Sequence, residues 1–73
     1  MELKLSEVVF DLRNDTVTIK GVRVSGATFR NRMASGQIPL NKDRTPHEAG
    51  MTPYDRRALI KLCVDIYEVH RSK

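Results

Sequence analysis

Val24-Ser25-Gly26-Ala27-Thr28-Phe29-Arg30-Asn31-Arg32-Met33-Ala34-Ser35-Gly36-Gln37-Ile38-Pro39 decides how the rest of the chain must be arranged. The spacing predicts one short helix over 25–35, with a stop signal at each end. The Ser25 hydroxyl is placed to cap the first turn, and Val24 before it is placed to pack on Phe29 as a hydrophobic staple. Gly36 is the expected left-handed C-terminal cap, and Pro39 forbids continuation. Phe29 and Met33 lie one turn apart, so a narrow apolar edge faces the interior. The opposite edge carries Ala27, Thr28, Asn31 and Ser35, with Arg30 and Arg32 on its two flanks. Small hydrogen-bonding side chains bracketed by guanidinium forks suit a base edge lying between two phosphates.

Val24-Ser25, Thr28, the hydrophobic residues Phe29 and Met33, and the exit Ser35-Gly36-Gln37-Ile38-Pro39 carry a further signal. Over residues 24–39 they resemble the recognition-helix half of excisionase-like and MerR-like helix-turn-helix proteins. That resemblance implies DNA binding in transcriptional regulation or as a recombination accessory, often in phages and mobile elements. In that family the segment beyond Ile-Pro leads into a wing that lies against phosphate. Lys42 and Arg44 occupy that place here, although no strand pattern for a wing is visible between Asn41 and Met51. The family's first helix sits a few residues upstream, where this chain has the strand-like run Thr16-Val17-Thr18-Ile19-Lys20-Gly21-Val22-Arg23.

Upstream, Val8-Val9-Phe10-Asp11-Leu12-Arg13 and Thr16-Val17-Thr18-Ile19-Lys20 flank Asn14-Asp15, a dipeptide that tolerates a tight hairpin turn. Pairing across that turn sets Leu12 opposite Val17 and Phe10 opposite Ile19 on an apolar face. Asp11 then faces Thr18, and Val9 faces Lys20. Gly21 breaks or turns the second strand, leaving Val22-Arg23-Val24 as a short continuation. A competing reading makes Ser6 the cap of a helix through Arg13, which would restore the family's first helix. The crowd of β-branched residues favours the hairpin.

Downstream, residues 40–51 form a polar loop. Thr45-Pro46-His47-Glu48 starts like a helix, but Gly50 halts it within about a turn. Thr52-Pro53-Tyr54-Asp55 repeats the start signal, and a long helix is expected over 52–70. Leu59, Ile60, Leu62, Cys63, Val64, Ile66, Tyr67 and Val69 cover more than half of its circumference, leaving Arg57, Lys61, Asp65 and Glu68 on a polar strip. So broad an arc exceeds a usual core-facing stripe, which leaves two options. Either the hairpin and short helix wrap it, or Ile60, Val64 and Tyr67 meet a second copy or a protein partner.

The chain has 73 residues, 40% of them hydrophobic and 30% charged, which fits one small α+β domain. Positive and negative side chains cancel over residues 1–24, so the net charge of +4 comes entirely from the remainder. A basic C-terminal two-thirds favours an anionic partner, nucleic acid first. The start Met1-Glu2-Leu3-Lys4 lacks the make-up of a signal peptide, and no apolar run approaches membrane-spanning length, so a cytoplasmic location with no membrane association is expected. The single cysteine, Cys63, sits among apolar residues, and His47 and His70 stand apart with no further ligands at metal spacing. Neither an enzyme nor a cofactor is expected.

These readings converge on a non-enzymatic protein that binds double-stranded DNA. The expected contacts are Thr28, Arg30, Asn31 and Arg32 on the short helix, Lys42 and Arg44 beyond it, and Arg56 and Arg57 at the start of the long helix. The rival reading is an inhibitor or adaptor that grips a larger protein through the long helix. Few aromatic residues are available, and Tyr54 is the one expected at the surface, which argues against a stacking platform for single strands.

Overall fold

The computed structural model describes residues 2–72 and has the expected α+β architecture. A single helical turn at Leu5–Glu7 leads into strands β1 (Val8–Asp11), β2 (Thr16–Ile19) and β3 (Val22–Ser25). Helix α1 (Gly26–Ser35), a second single turn at Glu48–Gly50 and helix α2 (Pro53–Arg71) follow. The strands form one antiparallel sheet in the order β1-β2-β3. Residues 8–11 are therefore strand, and the alternative helix from Ser6 through Arg13 is not formed.

The hairpin register differs from the expected one by two residues. Phe10 faces Val17 and Val8 faces Ile19, while Leu12 leaves the strand altogether. The cause is Asp11. Its carboxylate accepts the Arg13 and Asn14 N–H groups, both at 3.1 Å, and the Asn14 side-chain amide at 2.8 Å. These bonds build a four-residue loop over 12–15 in place of a two-residue turn, and only its last residue, Asp15, is left-handed. A shift of two preserves which face each side chain takes, so the apolar face survives the change.

Val22 and its neighbours are more than a continuation of β2. Lys20 and Gly21 both have positive φ, 49° and 84°, the signature of a tight two-residue hairpin turn. The chain reverses there, and β3 pairs back on β2 along its whole length.

Val8, Val17, Ile19 and Val24 are buried on the inner face of the sheet, against Phe29 and Met33 of α1 and Leu59, Leu62, Cys63 and Ile66 of α2. Phe10 is half-buried and meets Phe29 edge-on, with ring centroids 5.5 Å apart. The apolar arc of α2 is thus divided between deep burial at its centre and partial burial of Ile60, Val64 and Tyr67 at its edge. No helix of the described residues is long and apolar enough to cross a membrane.

Candidate nucleic-acid interface

Helix α1 begins where β3 ends, because Ser25 is both the last residue of the strand and the cap of the helix. Its Oγ accepts the Thr28 N–H at 3.1 Å, and its hydroxyl donates to the Thr28 Oγ1 at 3.0 Å. Val24 and Phe29 are both buried, as a hydrophobic staple requires. At the other end the left-handed residue is Gln37, with φ 56°, and Gly36 keeps φ −86°. Gln37 N–H bonds the Ala34 carbonyl and Ile38 N–H bonds the Met33 carbonyl, closing a Schellman motif one residue later than expected. Ile38 is buried with Met33, so its apolar contact locks this exit.

With both ends fixed, α1 can present only one face outward. Ala27, Thr28, Asn31, Ala34 and Ser35 are all exposed on it. Arg30 and Arg32 stand on its two flanks, in very different surroundings. Arg30 is clamped by Asp15 from the 12–15 loop, with Nη1–Oδ1 at 2.5 Å and Nη2–Oδ2 at 3.3 Å. The clamp depends on Gly26, whose N–H donates to the Asp15 carbonyl at 2.7 Å. A Cβ at Gly26 would lie 2.2 Å from the Asp15 carboxylate and 2.8 Å from its carbonyl, so only glycine permits this approach. The Arg30 hydrogen bond holds the Asp15 carboxyl below the usual carboxylate range, and Arg44 adds a weaker pull in the same direction.

Arg32 has no such partner. Its closest acid is Asp65 on α2, at 4.0 Å, and its side chain is 47% exposed. Arg32 and Ser35 share a shallow depression of about 270 Å³ with Ala58, Lys61 and Asp65 of α2. Lys61 is thus brought beside the α1 face. Its helical spacing from Arg57 was the available signal, but nothing in a linear reading places α2 against this flank.

The other expected cations are distributed around these two flanks. Residues 39–47 fold back on themselves through a single antiparallel bridge between Leu40 and Pro46, supplying the small hairpin that the sequence pattern did not disclose. His47 N–H bonds the Pro39 carbonyl and Asn41 N–H bonds the Thr45 carbonyl, each at 2.8 Å. Asn41 also contacts His47 through their side chains. Asp43 accepts the Thr45 hydroxyl at 2.6 Å and its N–H at 3.1 Å, which fixes the tip and keeps the Asp43 carboxyl below its ordinary value. Lys42 and Arg44 project from that tip. Arg44 lines the same cleft as Asp15, Arg30 and Met33, so the hairpin lies on the Arg30 side of α1.

Arg56 and Arg57 are exposed in the first two turns of α2. The positive end of that helix already holds a carboxylate: Thr52 and Asp55 form a reciprocal capping box, both bonds at 3.1 Å. These two arginines therefore act as point charges on the outside of the helix, away from its N–H groups.

Cys63 is fully buried, and burial pushes its thiol pKa up to about 12. His70 contacts the Ile66 carbonyl at 2.9 Å through Nδ1, a bond within its own helix. No group of three or more His, Cys, Asp or Glu residues with metal-binding geometry occurs among the described residues.

Fold and site together define a small α+β domain that displays a capped helix between two cationic flanks. No protein-family model, curated protein or solved structure matches the chain.

Proposed function

We propose that this protein is a non-enzymatic, double-stranded DNA-binding factor, a transcriptional regulator or recombination accessory, that docks the outward face of α1 against a groove. The observation that carries the reading is the display of Thr28, Asn31 and Ser35 beside an almost unpaired Arg32. In this reading Asn31 and Thr28 face base edges, and Arg32 and Lys61 contact phosphates on one side. Lys42 and Arg44 contact phosphates on the other side, from the 39–47 hairpin. Arg56 and Arg57 extend the basic surface. Arg30 serves mainly as a positioning residue, because its guanidinium is committed to Asp15. The resemblance of residues 24–39 to a recognition helix supports the same face. Ile60, Val64 and Tyr67 pack against the chain's own core, which leaves less apolar surface for the rival protein-binding role.

The test is a fluorescence-anisotropy titration with mixed-sequence duplex DNA at two salt concentrations. Four phosphate contacts predict roughly a hundredfold loss of affinity between about 50 and 200 mM salt. Absence of binding at the lower salt would refute the proposal.

A further inference from the structure

Strand β1 is an edge of the sheet, and its open side has a definite pattern of free hydrogen-bonding groups. The tight turn at Lys20-Gly21 closes on Ile19 and Val22, so those two form a hydrogen-bonded pair. Alternation along β2 then directs Thr16 and Thr18 to β1, where they bond Asp11 and Val9. Val8 and Phe10 consequently turn their backbone groups to the open edge. The Val8 N–H is taken up by the Leu5 carbonyl. The Val8 carbonyl, both groups of Phe10 and the Leu12 N–H have no backbone partner among the described residues.

Below this edge two clefts flank Phe10. One, of about 280 Å³, has Phe10, Leu12, Phe29 and Met33 on its walls together with the charged Asp15 and Arg30. The other, of about 310 Å³, is lined by Leu5, Val8, Phe10, Pro46, Leu59 and Cys63. Val9 and Leu12 are 58% and 59% exposed on the same strand and its exit. Neither a lysine nor a proline, the usual guards of an edge strand, interrupts Val8–Asp11.

We propose that β1 is a dimerisation edge, pairing antiparallel with β1 of a second copy so that Phe10 lies opposite Phe10. Two three-stranded sheets then become one sheet of six strands. In this register the N–H and carbonyl of Phe10 bond reciprocally across the two-fold axis. Leu12 N–H meets the Val8 carbonyl of the second copy, again twice, so every free group named above is paired. Each Leu12 falls opposite Val8 of the second copy, at the cleft that Val8 lines.

Charge favours a second copy in this register. Just beyond the paired residues, Arg13, which has no ion-pair partner in the described part of its own chain, falls opposite Glu7 of the second copy, whose carboxylate it would share with Lys20 of that copy, 3.3 Å away. Sliding by two residues, to place Val9 opposite Val9, would instead set Glu7 against Asp11 and leave the Leu12 N–H unpaired. A ladder this short lies below the roughly 1,200–2,000 Å² of a standard stable interface, so the dimer depends on concentration.

Sedimentation velocity from low-micromolar to submillimolar protein tests the proposal. The wild-type chain is expected to move from monomer toward twice the chain mass. Leu12→Asp, a change at an exposed loop position, is expected to keep its far-UV circular dichroism and weaken association about tenfold or more. Arg13→Glu should weaken it less, and an exchange that adds Glu7→Arg with Lys20→Glu, so that the pair within the chain is kept, should restore it. A wild-type chain that stays monomeric throughout would overturn the proposal. So would Leu12→Asp associating as strongly as wild type, or an exchange no better than Arg13→Glu alone.

Discussion

Arg30 and Arg32 stand two residues apart on opposite flanks of one helix face, and the fold assigns them opposite conditions. Arg30 has a bidentate carboxylate, a side chain only 26% exposed, and a neighbouring loop that is held in place through it. Arg32 has one long contact to Asp65 and nearly twice the exposure. The two have the same charge in the sequence and different charges as seen by an incoming phosphate. A paired guanidinium must give up its partner before it can serve a polyanion, whereas an unpaired one needs no exchange. Counting cations therefore overstates what Arg30 itself offers, and a linear reading misses Lys61, which joins Arg32 and Asp65 from α2.

Gly26→Ala is the harshest way to break this contrast. Alanine for glycine at an unconstrained helix position stabilises, but here the added Cβ meets the Asp15 carbonyl and carboxylate. A loss of about 1–3 kcal/mol is expected in urea unfolding, the range for overpacking a close contact. Hydrogen exchange should accelerate in residues 12–15. An increase in stability would show that the loop moves aside freely.

Arg32→Ala and Arg30→Ala remove the same charge and should not have the same effect on binding. Arg32→Ala is expected to lower the slope of log affinity against log salt by about 0.9, the value of one phosphate contact, with circular dichroism unchanged. Arg30→Ala should lower that slope by clearly less, while lowering the thermal midpoint more than Arg32→Ala does. Equal slopes for the two variants would erase the distinction.

The smallest effect concerns acid. Asp15 is held below its ordinary value of 3.8 by the Arg30 hydrogen bond, and Asp11 and Asp43 are held down by Asn14 and Thr45 respectively. A carboxylate with a depressed folded-state pKa contributes stability that is in place above its unfolded value and is lost as pH falls through its folded value. Stability should therefore decline below about pH 4. The decline should be shallower in Arg30→Ala, because the largest part of the Asp15 share has gone. Urea midpoints measured across that range give the comparison.

Much of this architecture could be read from local chemistry. Ser25, Val24 and Phe29 announce the start of α1, and Thr52, Pro53 and Asp55 announce α2, because caps and staples act within a few residues of one another. Two turns were harder. The 12–15 loop is governed by the Asp11 carboxylate, which bonds backbone and side chain at once and outweighs the preference of Asn14-Asp15 for a two-residue turn. The reversal at Lys20-Gly21 puts a lysine in the left-handed region, where asparagine or glycine is the ordinary signal. The outward face of α1 was legible from its caps and its Phe29–Met33 edge, but the electrostatic surroundings of that face were not. The Asp15–Arg30 pair spans fifteen positions and arises only when the 12–15 loop docks on the start of α1. Lys61 reaches the α1 face only because α2 packs along it.

Chemical-shift mapping of ¹⁵N-labelled protein on addition of a mixed-sequence duplex shows whether the outward face of α1 meets DNA. The largest shifts are expected at Ala27, Thr28, Asn31, Arg32 and Ser35, with a second set at Lys61 and at the tip formed by Lys42 and Arg44. Shifts confined to the outer face of the sheet, or to the Ile60–Val64–Tyr67 edge of α2, would contradict that docking.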